Sequence, residues 1–326
     1  MPRMARSWIH EDSGAYHIIS RVADTDIRFT SGEKEYFLKL MEIFSQGFYV
    51  DIHSFCVMDN HFHILLTGRE SLAQKASKEE LFRRYKKIYG KSNHPPPGSY
   101  QSNGEIVVDE DGGVERLRRR LGSVSRFVQE LKQTFSRWYN RHHDRKGYLW
   151  MDRFKGVIVD TGEAQLSCSA YIDLNPIRAG VVLRPEDYRW SSMGLRARSS
   201  RRAKELLISL KQYKDPEHGK LIPELEEVSC NFYRCFVYES GGMRRLDQAH
   251  ISPTIVKEVK RYHGKLGIGD MLKYRVRNFS EGIAIGSLSF IQNIQTLHKR
   301  KFIRPRSVIK NSLLFSTRSL GVVKTK

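Results

Sequence analysis

The order of apolar patterns along the chain predicts an α+β fold, running strand, helix, two strands, helix, strand, helix. Three observations carry this. Apolar and polar residues alternate through GAYHIISRV, residues 14–22, as they do along a strand with one face inward. FYVDIHSFCV and HFHILLTG are separated only by Met58-Asp59-Asn60, a connection suited to two strands joined by a tight turn. Farther on, Val124, Phe127, Val128, Leu131, Phe135, Trp138 and Tyr139 recur at helical spacing and line one face of a long helix.

In order, residues 14–22 give the first strand, and Thr30-Ser31-Gly32-Glu33 opens a helix over residues 33–44. The strand pair covers residues 48–57 and 61–68. Residues 70–122 change character: RRYKK leads to His94-Pro95-Pro96-Pro97-Gly98, then to a Gly- and acid-rich stretch ending in RLRRRL. They read as an insertion, mostly surface loop with short helices. The amphipathic helix of residues 123–142 carries Arg126, Lys132, Arg137 and Arg141 on its other face. A strand near residues 154–159 and a helix over residues 162–174 follow, the latter ended by Asn175-Pro176. These elements make one unit, residues 1–195. Residues 196–326 form a second, basic and mainly helical extension, with a connector RARSSRRAK, helical segments near 203–213 and 222–238, and HKRKFIRPR close to the end.

A chain of 326 residues with 40% hydrophobic content buries a sizeable core. Its 56 Lys and Arg against 36 Asp and Glu give a net charge of +20, which points to a polyanionic partner. Fifteen Tyr, sixteen Phe and four Trp add faces on which unstacked bases pack, a use of aromatics that a membrane surface does not need. The start MPRMARSWIH lacks the apolar core of a secretory signal, and no apolar run is long enough to cross a bilayer. The expected location is the cytoplasm. Cys56, Cys168, Cys230 and Cys235 lack metal-ribbon spacing, so reduced thiols are expected and a zinc site at Cys230 and Cys235 is not.

On the second strand of the pair, His61 and His63 project to one face while Phe62, Ile64 and Leu66 project to the other. Two imidazoles so arranged are able to hold a divalent ion rigidly, although a bare His-x-His is more often a pair of hydrogen-bonded or exposed rings. On the helix before Pro176, Tyr171 and Asn175 are one turn apart and share a face. A phenol with a pKa of about 10 is a poor nucleophile near neutrality and needs an electrophile polarised by a metal. Asn175 offers that metal an oxygen. Taken singly, Tyr171 reads as a packing residue; the joint pattern gives it a chemical role.

The stretches GAYHIISR, FCVMDNHFHILL, FSRWYNRHHDRKGYLWMDRFK, AYIDLNPIRAGVV and PEDYRWSS, in this order over roughly residues 14–192, resemble the REP-associated tyrosine transposases, within the single-tyrosine HUH transposases. The resemblance implies a ferredoxin-like antiparallel sheet with helices on one face, the histidine strand in its middle and the tyrosine helix beside it. It also implies that His61 and His63 bind a magnesium or manganese ion, that Asn175 completes that site, and that Tyr171 is the nucleophile. The implied reaction nicks single-stranded or hairpin-forming repetitive DNA through a 5′-phosphotyrosine link and rejoins it to another 3′-OH. Proteins of this kind are often dimers that exchange the tyrosine helix, whereas REP-type members act as monomers, so a homodimer stays open. The insertion departs from the family pattern.

Other residues carry weaker expectations. Arg153 and Lys155 are candidate DNA-phosphate contacts, with solvated surface charge as the equal alternative. Trp138, Tyr139, Tyr148 and Trp150 are candidate base-stacking residues, although aromatics at the helical spacing of Trp138 and Tyr139 more often belong to the core. His17 is expected to make a structural hydrogen bond, His53 to face solvent, and His142 and His143 to close a helix. A catalytically silent DNA-binding regulator and an RNA-binding protein are the alternative functions.

Overall fold

The computed structural model describes residues 15–24, 26–90, 99–102, 105–108, 112–197, 201–208, 210–213, 225–242, 249–260, 284–297, 306–307 and 315–317. Residues 94–98 and most of HKRKFIRPR lie outside these residues. In chain order the first elements are β1 (Ala15–Arg21), α1 (Ser31–Gly47), β2 (Val50–Val57) and β3 (His61–Gly68). The insertion gives α2 (Glu70–Lys75), α3 (Lys78–Tyr89), β4 (Ser99–Ser102), β5 (Glu105–Val108) and α4 (Gly113–Gly122). After it come α5 (Val124–His142), β6 (Lys155–Val159), α6 (Glu163–Asp173) and α7 (Asn175–Arg178).

The central sheet runs β6-β1-β3-β2, all antiparallel, so the histidine strand is internal as expected. Period-two alternation separates its faces. Tyr16, Ile18, Phe62, Ile64, Leu66, Phe55 and Ile158 face α1 and α5 in the larger core. Phe37, Phe62, Phe127 and Phe135 are completely buried there, and each such side chain contributes about 1.5–3 kcal/mol on leaving water. Helix α1 begins where Glu33 reaches back to the Thr30 amide, which satisfies a donor that the first turn leaves open.

The opposite face is not open. Ala15, Cys56, Leu65, Val157 and Val159 pack there against Ala164, Leu166, Cys168 and Ile172 of α6. Helices therefore cover both faces, which corrects the expectation of helices on one face alone. Every residue of α6 from Ala164 to Asp173 is buried, because a further helix, α10 (Cys230–Gly241), covers its outer side.

The insertion is more ordered than a surface loop. Tyr49, Ala73, Leu81, Tyr85, Leu117 and Leu121 form a small core of their own, tied to the main body by the bonds Tyr49 N–H to Leu121 O and Arg69 N–H to Tyr49 O.

Beyond residue 196 the elements are α8 (Ser192–Ala197), which spans that position, α9 (Arg201–Leu206), β7 (Lys211–Tyr213), β8 (Leu225–Glu227), α10, α11 (Pro253–Lys260), β9 (Ala284–Gly286), α12 (Leu288–Leu297), β10 (Arg306–Ser307) and β11 (Phe315–Thr317). The helix expected over residues 203–213 stops at Leu206 and gives way to β7, which pairs with β8. Strand β9 lies parallel to β6 and carries β11 and β10 beyond it, extending the sheet to seven strands. Described residues after 196 thus share both main cores: Ala203, Leu206 and Ile291 in one, Tyr233 and Phe236 in the other. Among the described residues, no helix is long and apolar enough to cross a membrane.

Candidate active site on the histidine face of the sheet

Strand alternation brings His61 and His63 onto the α6 face, with ring centroids 5.2 Å apart. Each imidazole is oriented by a neighbour. Asn60 Oδ1 accepts from His61 Nδ1 at 2.7 Å, which fixes the proton there and leaves Nε2 with its lone pair. His63 Nδ1 lies 2.9 Å from His17 Nε2, and the two rings stack at 5.1 Å. The tautomer in which His63 Nδ1 donates leaves His63 Nε2 as the second lone pair. An orienting partner on the far nitrogen is the support that ligating histidines require. His17 therefore makes the structural hydrogen bond expected of it, and makes it to the site.

Electrostatics hold both rings neutral. Burial lowers the His61 pKa to about 4, with Arg21 adding to the effect. Burial also drives the His63 pKa well below the usual imidazole range, helped by His17, His61 and Arg178. Neutral imidazoles are the form that binds a cation. Among the described residues no group of three His, Cys, Asp or Glu gathers to hold a metal. Two neutral imidazoles are a donor set that would suit a divalent ion whose other positions stay open.

Tyr171 is brought to the same place. Its ring meets that of His63 at 5.9 Å and that of His17 at 5.8 Å, both edge-on. It is 8% exposed. The Arg178 guanidinium lies over it, 4.9 Å from the ring centroid, and donates to the Tyr171 carbonyl. Arg178 escaped the sequence reading although it stands seven residues beyond Tyr171, two helical turns on, in the LNPIRAG run.

Asn175 behaves differently from the expectation of one uninterrupted helical face. Helix α6 ends at Asp173, and Asn175 opens α7. Pro176 has no N–H to give the Ile172 carbonyl, and Asn175 Nδ2 replaces it, donating to Tyr171 O at 3.0 Å and Ile172 O at 3.1 Å. Only Oδ1 is left for other work, and no hydrogen bond among the described residues links Asn175 to either imidazole.

The candidate DNA contacts divide. Lys155 is exposed and lies in a cross-strand row with Ile19 and His63 on the histidine face, about 10 Å from His63 at two strand spacings. Arg153 is exposed in the loop before β6. Tyr148 is 90% exposed, whereas Tyr139 is buried in the core, Trp138 stacks on Tyr36 at 4.0 Å, and Trp150 is pinned by its Nε1–H to Lys132 O. Of the four aromatics, Tyr148 alone offers an uncovered face.

His53 does not face solvent. It lies on the face of β2 that α6 covers, where its Nε2 is 2.8 Å from Thr67 Oγ1 and burial lowers its pKa to about 3. His143 pairs with Glu33 at 2.5 Å, which ties the end of α5 to the start of α1. Cys56 and Cys168 are buried free thiols, and Cys235 is partly covered.

No family model matches the chain, and no curated protein matches it in sequence. A solved structure of a REP-associated tyrosine transposase bound to a REP hairpin is similar over 68% of this chain and 99% of that chain, with 13% identity and a TM-score of 0.39. A likeness of that size carries no chemistry.

Proposed function

We propose that the chain is a divalent-metal-dependent single-strand DNA endonuclease and strand transferase, acting on hairpin-forming or repetitive DNA through a 5′-phosphotyrosine link at Tyr171. One observation carries the reading: Tyr171 meets His63 edge-on at 5.9 Å, on the face where the neutral His61 and His63 lie 5.2 Å apart. The two imidazoles, with Asn175 Oδ1 as the third candidate ligand, would hold a magnesium or manganese ion, which would supply Lewis acidity at the scissile phosphate. Tyr171 Oη attacks phosphorus and its proton leaves to water. The bond from phosphorus to O3′ breaks, and O3′ takes up a proton as it departs. Arg178, 4.9 Å over the Tyr171 ring, places positive charge beside the charge that builds on the phosphate. Lys155 and Arg153, both exposed at the start of β6, hold the strand at the rim of the site. Attack by another 3′-OH on the phosphotyrosine reverses the step and rejoins the DNA without a nucleotide cofactor.

The test is an end-labelled hairpin with unpaired flanks incubated with magnesium or manganese, then run on a denaturing protein gel. The wild type forms an SDS-resistant adduct that EDTA abolishes, and Tyr171→Phe and His61→Ala/His63→Ala form none. Identical products from wild type and Tyr171→Phe would sink the mechanism. A catalytically silent DNA-binding regulator is the second reading, favoured by the 8% exposure of Tyr171. Metal-independent binding with no adduct from the wild type establishes it instead.

A further inference from the structure

We propose that the groove along the outer face of α5 is a second nucleic-acid site, which takes the phosphodiester backbone of a strand or stem flanking the bond held at the histidine face. The assignment to nucleic acid stands on the groove itself; that its ligand flanks the scissile bond rests on the nuclease reading.

Helix α5 turns one stripe away from the core: Arg126, Gln129, Gln133, Arg137 and Asn140. Their spacing of three or four residues keeps them on one face over about 21 Å. Helices α3 and α4 of the insertion form the facing wall, and together with α1 they enclose about 1190 Å³ above Arg126 and Arg137. Without the insertion this stripe is a bare helix surface, so the segment that departs from the family pattern is the one that builds the groove.

Five arginines, Arg116, Arg119, Arg120, Arg126 and Arg137, line it together with a single carboxylate, Glu130. Glu130 is already matched by Arg120 at 2.8 Å, and Arg119 has only a loose 3.7 Å contact with Glu115. Arg126 meets the neutral Gln129 amide at 3.3 Å, and Arg137 has no ion pair among the described residues. The groove therefore presents an excess of positive charge in a concave wall, five arginines to one lining carboxylate, which excludes a flat bilayer and selects an extended polyanion. Planar guanidiniums suit phosphate oxygens. Tyr148 at the far end is 90% exposed. Aromatic faces interleaved with arginine recognise bases as well as phosphates, a chemistry that an acidic protein does not exploit.

The groove also leads somewhere. A second cavity of about 890 Å³ shares Gln129, Gln133 and Arg137 with the first and ends at Tyr148, Met151 and Arg153. That loop is bonded to the end of β1: Ala23 N–H to Leu149 O at 2.9 Å and Met151 N–H to Arg21 O at 3.0 Å. Arg21 is the register partner of His61. The groove thus ends at the edge of the sheet where the histidine pair begins, and a strand leaving the histidine face reaches it by rounding that edge.

The experiment uses the full chain carrying Tyr171→Phe, so that no bond is cut and failure of the nuclease reading leaves the measurement intact. Fluorescence anisotropy follows binding of a tailed hairpin, the stem alone and the unpaired tail alone, from low to physiological salt. Arg126→Glu/Arg137→Glu, both exposed, is expected to weaken binding about tenfold and to lower the salt slope by about two. Lys75→Glu/Lys87→Glu, exposed outside the groove, makes the same change in net charge and should alter affinity less than about threefold. Loss confined to the stem or to the tail supports the site and names its occupant. Equal weakening by the two double variants overturns the proposal, as does displacement of DNA by poly-glutamate at equal charge concentration.

Discussion

Asp173 is completely buried at the end of the tyrosine helix and accepts from Ser192 Oγ at 2.6 Å, Met193 N–H at 2.9 Å and Tyr233 Oη at 2.6 Å, with Arg196 at 3.9 Å. Burial pushes its carboxyl pKa up, and Arg196 and the three donors pull against that. Asp173→Ala removes the acceptor from all of them. Ser192 keeps a partner in the Phe55 carbonyl at 3.2 Å, but the Met193 amide and the Tyr233 hydroxyl lose theirs and Arg196 loses its counter-charge. Hydrogen bonds to ionised acceptors contribute about 1.5–3 kcal/mol each, and breaking a buried charged network from one side costs about 3–5 kcal/mol. At about 2–4 °C per kcal/mol for a domain of this size, the melting temperature should fall by roughly 6–20 °C. Asp173→Asn keeps one carbonyl oxygen for Ser192 and Met193 and should lose less than half as much. Thermal unfolding followed by circular dichroism gives both numbers, and adduct formation is measured well below the lower melting point. An Asp173→Ala shift under about 3 °C, or full adduct formation by that variant, refutes the argument that this network positions Tyr171.

His53 gives a pH signature. Its folded pKa of about 3 lies below the ordinary 6.5, so the unfolded chain binds the extra proton and stability falls as pH drops from about 6.5 towards 3, by up to 1.4 kcal/mol per pH unit from this group. Urea unfolding of His53→Gln should show a shallower acid slope than the wild type by about one proton; equal slopes contradict the assignment. Asn175→Ala removes two donors from the α6 terminus and should cost about 1–2 kcal/mol. Asn175→Asp keeps an oxygen for a cation but not the donors, so retained adduct yield with lowered stability marks a ligand, whereas Ala and Asp variants that lose both equally mark a helix cap. Mixing Tyr171→Phe with His61→Ala/His63→Ala should yield no adduct, since one chain supplies both the histidines and the tyrosine; recovered activity argues for helix exchange between copies.

What was legible followed from unbroken periodicity. The β2–β3 hairpin, the helix α5 and the pairing of His61 with His63 all rest on alternation or helical spacing that tertiary contacts left intact. His53 was misplaced because its face of β2, opposite Ile52, is covered by α6 and not open to water, a tertiary contact that alternation along one strand does not reveal. Helix α6 was found, but not its place: Ala164, Leu166, Cys168, Ala170 and Ile172 are buried on several sides, so its sequence has no polar stripe to say which sheet face it covers. Strands β9, β10 and β11 have two or three residues each, too few for any period to register. The insertion concealed its own core because Leu81 and Tyr85 lie in α3 and Leu117 and Leu121 in α4, far apart in a basic sequence that reads as surface.

The all-round burial of α6 also bears on how the site works. At its start Gly162 takes φ of +69°, a conformation that costs other residues about 1–2 kcal/mol, and at its end Asp173 and Asn175 bind it to α8, α10 and its own last carbonyls. A helix so held leaves Tyr171 little freedom to swing out towards a substrate. If the proposed cleavage takes place here, the scissile phosphate must instead be carried to the tyrosine, and precision then falls on whatever orients the strand. That requirement suits a chain whose positive charge is spread well beyond the histidine face, with Lys155 and Arg153 at the rim and an arginine-lined groove around the edge of the sheet.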